Sequence, residues 1–135
     1  CGSNQFDSLY GSHYFYAAHG VMLDKPLLGL RTFDVLRVID WLATHEHETI
    51  HLAGLGWGAL PAAFAALLSD RVKQVTLKHV LASYAGIAED PDYKCPFALL
   101  LPDSLARLDL PEVYAALQAK ALNNLEPWGP RDAAK

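Results

Sequence analysis

The residues best placed to do chemistry are Gly54-Leu55-Gly56-Trp57-Gly58, between the run Ile50-His51-Leu52-Ala53 and the Ala- and Leu-rich run that follows. This pattern predicts a parallel strand, a tight turn and a helix opening at the strand's carboxyl end, the junction where open α/β sheets hold their sites. Two chemistries use such a turn. In one, Gly54-x-Gly56-x-x-Ala59 fits the G-x-G-x-x-G/A form, with a nucleotide phosphate over the Gly54, Gly56 and Gly58 backbone at the helix amino terminus. The acidic residue that should close the next strand is missing, and Lys78 and His79 stand there instead. In addition, a long segment precedes the motif, whereas this fingerprint normally opens its domain. In the other chemistry, Gly54 to Gly58 is a small-x-nucleophile-x-small elbow whose strained turn lifts the central side chain above the sheet. Its centre is Gly56, which tolerates the strain but carries no hydroxyl or thiol.

Other reactive side chains give weaker signals. His45, His47 and His51 lie close in sequence, but the first two read as solvated loop residues and His51 falls inside the strand, so no metal is assigned. His79 and Ser83 follow the carboxyl end of the next strand and could line the same cleft as ligand-binding residues, although a structural role is the preferred reading for each. Cys1 and Cys95 fit neither a metal spacing nor a disulfide framework. No cofactor is implied.

The elements that must position these residues follow from hydrophobic periodicity. A loop over residues 1–11 leads into a helix from about Ser12, with Ser12 as its cap and Lys25-Pro26 as its end. A second helix spans about Leu28 to Ala43, with Val35, Leu36, Ile39 and Leu42 inward and Arg31, Asp34, Arg37 and Asp40 forming a stripe of alternating sign. Strands are expected over 49–53, 72–79 and 119–125, with a helix apolar nearly all round over about 57–68. Residues 82–117, broken by Pro91, Pro96, Pro102 and Pro111, are expected to hold irregular structure or short helices. Strand, helix, strand within such a length is a right-handed parallel βαβ unit.

Composition sets the limits. The chain has 135 residues, 52% hydrophobic and 19% charged, which suits one globular domain. Its net charge of −4, with no long run of either sign, argues against nucleic acid or an anionic membrane surface as partner. From Leu52 to Ser69 no residue is charged, but the glycines and Pro61 divide this stretch, so no membrane span is expected. The opening Cys1-Gly2-Ser3-Asn4 is compatible with a lipid-modified cysteine, though without a signal segment to go with it.

Several phrases resemble the C-terminal part of bacterial α/β-hydrolases of the acetyl xylan esterase, cephalosporin-C deacetylase and prolyl-oligopeptidase kind. They are Pro26-Leu27-Leu28-Gly29, Asp34 to Leu42, His51-Leu52-Ala53-Gly54, the elbow and its Ala-rich helix. Val75-Thr76-Leu77-Lys78, Ser83-Tyr84, Asp109-Leu110-Pro111 and Glu126-Pro127-Trp128 continue the likeness across about residues 10–128. The resemblance implies a three-layer α/β/α sandwich with a short, mostly parallel sheet, present here as a single but incomplete α/β-hydrolase-like unit. It aligns the nucleophile with Gly56, gives the Trp57 N–H an oxyanion-hole position, makes Asp132 the candidate acid, and puts the catalytic histidine beyond the last residue. The expected chain is a catalytically inactive relative of carbohydrate-ester or peptide hydrolases, with a small-molecule ester as ancestral substrate. A nucleotide- or phosphate-binding module and a non-catalytic interaction domain are the alternatives. With the earlier strands of the fold missing, the edge at 49–53 would be unpaired and the apolar helix partly uncovered. A fragment of a longer protein, a homo-oligomer or a covering partner chain is therefore expected.

Overall fold

Three strands, β1 (Ile50–Leu55), β2 (Val72–Lys78) and β3 (Leu122–Leu125), make a parallel sheet in the order β1-β2-β3. This is a computed structural model, and it describes residues 12–45, 47 and 49–132, without the Ser12 side chain. The Cys1 lipid reading, the loop over 1–11 and the capping role of Ser12 lie outside that description. All three expected strands form, adjacent and parallel, with shifted ends. β1 runs on to Leu55 because Gly54 and Leu55 pair with Leu77 and Lys78. β3 starts later than expected because a 3₁₀ turn, Gln118–Lys120, and Ala121 at φ 47° intervene.

The helices are α1 (Ser12–Met22), α2 (Leu27–Ala43), α3 (Ala59–Leu68), α4 (Tyr84–Glu89) and α5 (Leu110–Leu117). On α2 the expected face packs inward: Ile39 is buried and Val35, Leu36 and Leu42 lie partly buried against the core. The outward stripe behaves unevenly. Arg37 and Asp40 pair at 3.4 Å in full view of solvent, a contact worth well under about 1 kcal/mol. Arg31 makes no such pair with Asp34, and its Nη2 donates to His13 Nδ1 at 3.1 Å.

The chain forms two layers among the described residues, not the three expected. Leu52, Val75 and Leu122, then Gly54, Leu77 and Asn124, lie in register on one face, and Val75 and Leu77 are buried there. His51, Ala53 and Leu55 on β1, Gln74 on β2, and Asn123 and Leu125 on β3 face the other way and are exposed. Stepping from β1 to β2 to β3 in one direction, with crossovers of one hand, puts both connecting helices on the same side. Accordingly α3 packs against β1, β2, α2 and α5. Ala59 to Ala63, Ala65 and Ala66 of α3 are buried, while Leu67 and Leu68 at its carboxyl end are exposed, so the apolar helix is uncovered only there, and the larger bare surface is the far face of the sheet. The β1 edge is unpaired among the described residues, as expected.

Two polar devices close the helical layer. Asp109 caps two helices at once: its carboxylate accepts from Leu110 N at the start of α5 and from Tyr84 N at the start of α4, both at 2.7 Å. Glu112 completes a capping box by accepting from Asp109 N. At the other end, Lys120 Nζ donates to the Ala66 and Ser69 carbonyls at 2.7 Å each, placing a cation on the carboxyl terminus of α3. Lys120→Met is expected to cost about 1–2 kcal/mol, read as a lower urea midpoint at unchanged slope. The phenols of Tyr84 and Tyr114 donate to the Leu99 and Leu81 carbonyls, and burial pushes the pKa of each above its ordinary value. Burial likewise raises the Cys95 thiol to about 11. Among the described residues, no helix is long and apolar enough to cross a membrane.

Candidate functional site

The glycine turn has the shape its sequence suggests. β1 ends at Leu55, a 3₁₀ turn covers Gly56–Gly58, and α3 begins at Ala59. Gly56 takes φ 52°, a conformation that costs a side-chain-bearing residue about 1–2 kcal/mol. Gly54 is required for a different reason. A Cβ there would stand 2.8 Å from Ala59 Cα, 2.9 Å from Ala62 Cβ and 3.0 Å from Gly58 O. The missing side chain is what lets α3 press onto the strand. At Gly58 a Cβ would meet open space, so its role is not steric.

The three strands end in a row. Leu55, Lys78 and Leu125 are register neighbours, so Gly56, His79 and Glu126 follow side by side on the carboxyl edge. All three have positive φ, at 52°, 56° and 48°. Strain in two non-glycine residues at one edge marks a site that the surroundings hold in place. His79 Nε2 donates to Glu126 Oε2 at 2.8 Å, and Lys78 Nζ lies 3.2 Å from the same oxygen. The His79 ring stacks on Trp128 with centroids 5.3 Å apart. These donors, His79 first and then Lys78, hold the Glu126 carboxylate below its ordinary pKa. Both residues at the position where a dinucleotide site would need an acid are thus engaged by a carboxylate.

Asp132 and Ser83 both take part in local hydrogen bonding. Asp132 Oδ2 accepts from Gly129 N at 2.6 Å and closes a local turn. Ser83 is the N-cap of α4: its hydroxyl donates to Asp109 Oδ2 at 2.5 Å and accepts from Gly86 N at 3.1 Å. Capping uses its one donor and one of its acceptor lone pairs. His51 lies on the open sheet face with Nε2 2.9 Å from Thr76 Oγ1. No three His, Cys, Asp or Glu side chains of the described residues come together as a metal site. Sequence reasoning missed Glu126 as a site residue, although its position as the first residue after a strand marked it. It also missed Asp109, whose Asp-x-x-Glu spacing is a capping-box signature.

Trp57, the second residue of the 3₁₀ turn, lies under the Arg31 guanidinium at 5.7 Å, with the His13 ring centroid at 5.2 Å. In comparisons with known proteins, no family, curated protein or solved structure matches this chain.

Proposed function

We propose that this chain is an α/β-hydrolase-like unit, related to carbohydrate-ester or peptide hydrolases, whose nucleophile elbow keeps its shape without its nucleophile. The observation that carries this reading is Gly56 at φ 52° between β1 and α3, with Gly54 pressed beneath Ala59 and Ala62. That is the steric requirement of the small-x-nucleophile-x-small turn, met with no attacking atom at the centre. The Trp57 N–H takes the oxyanion position, and Glu126, directly after β3, replaces Asp132 as the counterpart of the acid. With no side chain at position 56 the unit does not catalyse ester cleavage. A fluorophosphonate probe is expected to leave the chain unlabelled; stoichiometric labelling would overturn the reading.

The open sheet supports the accompanying proposal of an interaction role. Leu55 is 64% and Leu125 41% exposed on the bare face, beside the unpaired β1 edge. Parallel sheets are normally covered on both faces, and bare edges recruit further strands. A second copy, a partner chain or further strands of a longer protein cover this surface. Light scattering on the purified chain is expected to give a mass above the monomer, and a clean monomer over a wide concentration range counts against coverage by a second copy.

A further inference from the structure

Arg31 and Arg37 lie on α2, each with an aspartate three residues on, yet they behave differently. Arg37 pairs with Asp40. Arg31 leaves Asp34 and lays its guanidinium over the Trp57 ring, 5.7 Å from the centroid, while its Nη2 donates to His13 Nδ1 at 3.1 Å. Both partners are without negative charge in this arrangement, since a guanidinium can only donate and Nδ1 must accept. Among the described residues no carboxylate forms an ion pair with Arg31, and partial burial lowers its pKa. Arg31, His13 and Trp57 line one cavity of about 380 Å³ with Asp34, Gly58 and Pro61. It is an open depression on the surface, accessible to a small solute.

The geometry points to a binding site for a small oxyanion, carboxylate or phosphate, held by Arg31 with His13 and Trp57 fixing its orientation. The Trp57 ring beneath it and the bond to His13 restrain the Arg31 guanidinium, so its remaining N–H groups meet an anion at a smaller loss of side-chain freedom. Asp34 on the same wall limits the affinity by repulsion. The site shares Trp57 and Gly58 with the elbow turn but needs no nucleophile, and its dependence on Arg31, which lies outside that turn, separates its failure from that of the elbow reading.

The test is titration of the full chain with sodium acetate and, separately, inorganic phosphate, followed by amide and Trp side-chain NMR shifts, against sodium chloride at equal ionic strength. The expected result is a saturable shift at Trp57 and Gly58 with at least one of the two anions. Arg31→Met should weaken it by roughly 10-fold or more, the loss of a charge-assisted hydrogen bond. Arg31→Lys, which keeps the charge and loses the fork, should weaken it less, and decides the matter if Arg31→Met does not fold. Asp34→Asn should tighten it, and Arg37→Met should leave it unchanged. No saturation with either anion, an equal response to chloride, or unchanged affinity in Arg31→Lys and Arg31→Met would overturn the site.

Discussion

A Gly54→Ala variant is expected to lose about 2–3 kcal/mol of stability, while Gly58→Ala at the end of the same turn stays within about 1 kcal/mol of the parent. The contrast follows from what each new methyl meets. At 54 it meets Ala59 Cα at 2.8 Å and Gly58 O at 3.0 Å, which are backbone atoms, so α3 must lift off β1 to admit it. That movement loosens Ala59, Leu60, Ala62 and Ala63, all buried. At 58 the methyl meets nothing within 4 Å, and φ −87° suits any residue. There the entropy gained by restricting the unfolded chain opposes the mild preference for glycine over alanine at a helix cap. Denaturant unfolding of the pair reads the difference directly. Equal midpoints would mean that the close approach of α3 to β1 is wrong.

Asp109→Ala is expected to cost about 2–4 kcal/mol, because one carboxylate serves the first turns of both α4 and α5. It also receives the Ser83 hydroxyl, whose loss of a partner adds to the cost. Asp109→Asn keeps an acceptor oxygen and should cost about half as much. Desolvation pushes the Asp109 pKa up, but the bonds from Ser83, Tyr84 N, Leu110 N and Ala85 N outweigh it, and the folded pKa ends below its ordinary value. A depressed folded pKa means that this stabilisation is complete above the unfolded value of about 3.9 and fades as pH falls through the folded one. The gap in urea midpoint between parent and Asp109→Asn should therefore be full at pH 7 and narrow at pH 3. A gap independent of pH would remove the carboxylate from this role.

Much of the layout was legible because it rests on short-range pattern. The β-branched run from Val72 and the apolar run before Gly54 place two strands, and Val35, Leu36, Ile39 and Leu42 place the inner face of α2. What the sequence did not reveal depends on contacts distant along the chain. Asp109 reaches back to Tyr84, and Lys120 to Ala66, pairings that no local periodicity encodes. The two-layer arrangement escaped for another reason. Parallel strands buried on both faces should be apolar throughout, and the outward His51, Gln74 and Asn123 were the signal against a second helical layer. The candidate site was half legible: the glycine turn shows in the sequence, but the row of Gly56, His79 and Glu126 needs the register of three strands. Asp132 follows Glu126 in the same carboxyl-terminal segment, and its carboxylate accepts from Gly129 N in a local turn that the spacing alone does not show.

Hydrolysis of short-chain p-nitrophenyl esters by the purified chain, beside a Gly56→Ser variant, tests the central claim most directly. The unsubstituted chain is expected to show no turnover above the buffer blank, since Gly56 offers no nucleophile. Activity gained by the variant alone would show that a base and oxyanion donors already surround the elbow. Turnover by the unsubstituted chain that Gly56→Ser abolishes would contradict the account and move the site elsewhere.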